Sequence, residues 1–159
     1  MPTCFSALMC HAPIVVPAVG GARSERCRAT TRAMREVAER AVASSPDRLV
    51  LISPHSPRHP TAWGAWRGPH RGDLSAFGAG SLAVDLPDAP EVGEAISARS
   101  VTDGPLDHGA MVPLSFLWEA GWRGPTAILA LPWQENPDSE GVGRAVAALA
   151  GRSAVIASG

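Results

Sequence analysis

Lysine and tyrosine are missing from the chain, so all fourteen basic residues are arginine, and no stretch gathers charges of one sign. With a net charge of −1 at pH 7, there is no electrostatic footprint for nucleic acid or an anionic membrane surface. A small neutral partner suits such a surface better. The missing lysine and tyrosine read as coding bias, and no chemistry is drawn from them.

Cysteine is scarce too. Cys4, Cys10 and Cys27 are odd in number and lack C-x-x-C spacing, which excludes a disulfide framework and a structural zinc knuckle. A reducing, cytoplasmic setting is expected. No uncharged apolar segment reaches about 18 residues, and "MPTCFSALMCH" lacks a basic start followed by a long apolar run, so neither a membrane span nor an export signal is expected. Nor is there a P-loop or a nucleophile elbow, and "GVGRAV" is too poor in glycine, and wrongly placed, for a dinucleotide fingerprint.

What is present is a chain of 159 residues, enough for one domain that buries roughly 70% of its unfolded surface. "CFSALMC" at 4–10 reads as a first strand. In "TTRAMREVAERAVASS", Met34, Val37, Ala38, Ala41 and Val42 recur at helical spacing, with Thr30 or Thr31 as the expected cap. "RLVLIS" at 48–53 is a continuous aliphatic run of the kind found in parallel strands covered on both faces.

A long Pro-, Gly- and Trp-rich loop follows, with room for short strands near Trp63 and Trp66. "SLAVDL" is expected as a strand, "APEVGEAISARS" and "GAMVPLSFLWEAG" as helices, "TAILAL" as a strand, "DSEGVGRAVAALAG" as a helix and "SAVIASG" as a last strand. This alternation predicts a single α/β domain over 1–159, with a mostly parallel central sheet in an α/β/α sandwich. Ligands in such sheets bind at the carboxyl ends of the strands.

Two histidines stand at those ends. "LMCHAP" places His11 after the first strand and "ISPHSP" places His55 after the second, each with a proline two residues on. A right-handed crossover makes the two strands parallel and either adjacent or one strand removed, so both imidazoles can reach one ion. A lone histidine of this kind commonly caps a loop through a backbone hydrogen bond, and two at matched ends point as readily to a metal. His108, in "GPLDHGAMVPL", precedes a helix start and is the candidate acid–base group, an Asp-His helix cap being the plainer alternative. Asp107 beside it, and His59 at the pocket rim, are secondary candidates for contacting substrate. Glu135, Glu140 and Asp73 read as ordinary surface carboxylates. Trp118 and Trp122 read as core.

Taken in order, "ALMCHAPIVVP", "LVLISPHSP", "LDHGAMVPL" and "AVIASG" resemble the landmarks of the class III extradiol ring-cleavage dioxygenases, the family of the protocatechuate 4,5-dioxygenase catalytic subunit. The resemblance implies non-haem Fe(II), with His11 and His55 as its two histidine ligands and His108 as the acid–base residue. It also implies an aromatic diol and O2 as substrates, the ring being cut beside the diol. In that family the carboxylate ligand lies beyond a strand like "VIASG", so the domain is expected to be incomplete at its C-terminal end. Two alternatives stay open: a non-catalytic metal- or ligand-binding protein on the same scaffold, and zinc in place of iron, with Cys10 next to His11. A chain that ends on an apolar strand is expected to expose an edge and to form a homo-oligomer.

Overall fold

The computed structural model describes residues 3–102, 105–135 and 137–159. Strands β1 (Thr3–Met9), β2 (Arg48–Ser53), β3 (Gly64–Trp66), β6 (Arg99–Val101), β7 (Thr126–Ala130) and β8 (Ser153–Ser158) form one six-stranded sheet in the order β1-β8-β2-β7-β3-β6. All neighbours are parallel except β3 against β7. The remaining strands, β4 (His70–Leu74) and β5 (Ala79–Leu86), pair antiparallel in a separate ribbon. The helices are α1 (Pro17–Gly20), α2 (Arg28–Ala43), α3 (Pro90–Ala95), α4 (His108–Glu119) and α5 (Ser139–Ala148).

The aliphatic run of β2 shows why this is a two-faced sheet. Leu49 and Leu51 point to one face, where they join Ile128 and Ile156 against α2 and α4. Val50 points to the other and meets Ala127, Leu129, Val92 of α3 and Val146 of α5. Alternation along each strand therefore feeds two cores, the expected α/β/α layering.

The structure differs from expectation at four places, the first being that the helix expected over "APEVGEAISARS" ends at Ala95 and Arg99–Val101 form β6. Helix α2 begins at Arg28, directly out of a 3-10 turn over Gly21–Cys27, and has no side-chain cap. Thr31 lies inside it, its hydroxyl donating to Val15 O at 2.7 Å. "SLAVDL" is a strand but leaves the main sheet, because the aperiodic loop before it supplies a closer partner in β4. The last strand, β8, is not an edge: it lies between β1 and β2, paired on both sides. The edges are β1 and β6.

Helix α4 is packed by the β4–β5 ribbon as well as by β2, β8 and α2. This is why Gly109 to Leu117 are buried all round, although a surface helix shows only one apolar stripe.

Candidate metal centre

Because β8 separates β1 from β2, the carboxyl ends of those two strands stand roughly 10 Å apart, and His11 and His55 reach toward each other across the gap. Their Nε2 atoms lie 3.1 Å apart. His108, on the first turn of α4, completes the group: one ring nitrogen from each of the three lies within 4.8 Å of the others. Ring centroids are 4.7 Å apart for His11 and His55, 4.2 Å for His55 and His108, and 5.7 Å for His11 and His108.

Asp107 anchors the start of the helix that carries the third imidazole. It caps α4 by accepting from Ala110 N at 3.1 Å, and its two carboxylate oxygens accept from Ser53 Oγ and Ser56 Oγ, each at 2.6 Å. Ser56 Oγ accepts in turn from the buried Trp66 Nε1 at 2.9 Å. One carboxylate thus ties the helix that carries His108 to both serines flanking His55. Each of its oxygens accepts from one serine, and Oδ1 accepts from Ala110 N as well. The helix can come this close only because residue 109 is glycine: a Cβ there would stand 2.5 Å from Ser53 Oγ and 3.1 Å from the His55 ring.

The electrostatics favour the neutral form of His11 and His108. Burial holds His11 below the ordinary histidine range, reinforced by repulsion from His55 and His108 and opposed by Asp107. His108 is lowered for the same first reason, with His55 next and Asp107 again opposing. Neutral rings keep a lone pair for a metal. An ion with nitrogen ligands at 2.0–2.1 Å sets two of them about 2.8–3.4 Å apart, between a right angle and a tetrahedral one, and the His11–His55 spacing falls in that range. The donor set and spacing fit a divalent transition metal. His11 Nδ1 is buried without a partner among the described residues, although a ligating imidazole usually donates its other ring N–H to a carboxylate or carbonyl.

The structure does not bring His59 into this group. Its Nδ1 accepts from Thr61 N and Ala62 N, and Arg99 Nη1 lies 2.8 Å from its Nε2, at a pocket lined also by Arg58. Cys10 Sγ accepts from Ala12 N and stands outside the group. Glu140 pairs with Arg144, Asp73 accepts from Ser75 N, and Glu135 is exposed. Trp66 and Trp122 are core and Trp118 is partly buried against it. Sequence reasoning missed Ser53, Ser56 and Ser158. The first two carry a readable signal, since hydroxyls flank the histidine in "SPHSP".

Residues 6–159 match the family model described as the catalytic LigB subunit of aromatic ring-opening dioxygenase. A curated protein of Clostridium acetobutylicum, named only by its gene locus, is 26% identical over 129 residues, covering 69% of this chain. The chain spans 28% of that relative's length. No helix among the described residues is long and apolar enough to cross a membrane. With the match running over nearly the whole chain and the three histidines of its landmarks meeting at one point, the chain belongs to the LigB family of aromatic ring-opening dioxygenase catalytic subunits.

Proposed function

We propose that this domain binds Fe(II) through His11 and His55 and opens the ring of a catechol-type diol with O2, beside the diol. The observation that carries the reading is the 3.1 Å approach of the two Nε2 atoms, from the ends of two strands one strand apart, with His108 beside them. Bound ferrous iron would supply the redox chemistry that lets a singlet diol react with triplet oxygen.

The chain's own residues do the rest. His11 and His55 present lone pairs from proline-bounded turns. His108, kept neutral by burial, accepts a proton from a catechol hydroxyl and can return it later, as general acid–base catalysis requires. Asp107 holds His108 in place through the helix cap and the two serines.

The test is anaerobic loading with Fe(II), then oxygen uptake measured with a panel of catechols. Uptake matching diol consumption supports the reading. Unchanged iron affinity in both His11→Ala and His55→Ala overturns it.

Three imidazoles are also a zinc donor set, and this favours a second reading, a zinc-binding protein that does not cleave rings. Elemental analysis of protein purified without added metal separates the two.

A further inference from the structure

Three large apolar side chains stand exposed among the described residues: Leu8, Phe77 and Trp133. Leu8 lies on the edge strand β1, and Trp133 is covered by the Arg58 guanidinium, 4.4 Å from its ring centroid. Phe77 is different. It is 40% exposed, yet its ring stands edge-on to His108 with centroids 5.9 Å apart, at the rim of the imidazole group.

Its mounting is firm. Phe77 ends the 3-10 turn Ser75–Phe77 that joins β4 to β5. Asp73 Oδ1 accepts from Ser75 N at 2.8 Å, and Gly78 N donates to Ser75 O at 2.9 Å, with Gly78 in the left-handed region at φ +80°. On either side Leu74 and Ala79 are buried and face each other in the ribbon. With two-fifths of its surface left in water, the ring offers apolar area that a ligand can still cover. Little conformational entropy remains to be lost when a ligand covers it.

We infer that Phe77 is a substrate-binding residue, an aromatic wall that packs against the ring of a diol seated at the imidazole group. The inference rests on the function proposed above and adds the contact by which the site recognises an aromatic ring. Aromatic pairs attract at centroid separations of 4.5–7 Å, edge-to-face or offset, and Phe77 already holds that range to His108. A benzene ring placed before the imidazoles therefore falls within its reach. Because Phe77 carries no polar atom, it reads the ring and not the diol oxygens.

The experiment is an anaerobic spectrophotometric titration of the Fe(II)-loaded protein with 4-nitrocatechol, a chromophoric probe, in wild type, Phe77→Ala, Phe77→Leu and Phe77→Tyr. Iron affinity is measured alongside. The expected result is a dissociation constant about ten-fold higher for the alanine and leucine variants, tyrosine within about two-fold of wild type, and the same iron affinity in all four. Wild-type binding by the alanine or the leucine variant overturns the inference while leaving the proposed function standing. Iron affinity that falls in step with probe affinity also overturns it, because the side chain would then act through His108. A wild-type protein that binds neither iron nor the probe removes the proposed function and this inference together.

Discussion

The Ser158 hydroxyl donates to the Gly109 carbonyl at 2.6 Å, joining the end of β8 to the first turn of α4. That carbonyl would ordinarily accept from the amide four residues on, but residue 113 is proline and has no N–H to give. Ser158 takes the proline's place. In "DHGAMVP" the proline frees the glycine's carbonyl and the glycine admits Ser53, so both exceptional residues of the helix serve its docking onto the strand ends.

Ser158→Ala should therefore leave a buried carbonyl unpaired and destabilise the fold by about 1–2 kcal/mol, read from the urea midpoint. Iron affinity should fall modestly with it, because the turn that carries His108 is no longer pinned to the sheet. Unchanged stability would mean that water or a local shift replaces the hydroxyl.

The three histidines should separate by role. His11→Ala and His55→Ala are expected to lose at least about 100-fold in iron affinity. His108→Ala is expected to keep iron binding within several-fold while turnover falls by about 10²–10⁴. Equilibrium dialysis and single-turnover oxygen uptake check the two halves, and equal iron loss in all three variants would instead make His108 a ligand.

Gly109→Ala tests the close approach directly. Its new methyl group would collide with Ser53 Oγ and the Asp107 carboxylate, so α4 must move outward and take His108 with it. A loss of about 1–3 kcal/mol in stability is expected, with an affinity loss larger than that of Ser158→Ala. Unfolding and metal titrations on the two variants allow the comparison.

Much of this arrangement was legible from the sequence, and the part that was not has definite physical reasons. His11, His55 and His108 stand next to strong local signals: apolar runs of strand length, the prolines that end them, and an aspartate before a glycine. The β3 strand falls where a short strand was expected, near Trp63 and Trp66, but it is three residues long in an aperiodic loop, so no periodicity could fix its bounds or its partners. The β4–β5 ribbon shows that alternation in "SLAVDL" reports a half-buried strand but not which sheet it joins. Phe77 carried no sequence signal at all, since its position depends on that ribbon folding over α4. The place of β8 between β1 and β2 is likewise a long-range outcome, and a chain-terminal strand gives no local hint of it.

His70, outside the candidate centre, predicts a pH dependence of stability. It is buried on β4, its Nε2–H donating to Thr126 O at 2.7 Å, with Asp88 Oδ1 at 3.4 Å. Burial lowers its pKa below the ordinary 6.5, outweighing the opposing pull of the Thr126 carbonyl and of Asp88. The unfolded chain thus takes up a proton before the folded one does. Stability is full above about pH 6.5 and declines as the pH falls through and below that value. His11 and His108 are lowered too and contribute with the same sign. Urea midpoints at pH 7.5 and 5.5 should therefore differ in the metal-free protein, and the difference should shrink but not vanish in His70→Gln, whose amide can still donate to Thr126 O. An undiminished difference would place the whole effect at His11 and His108.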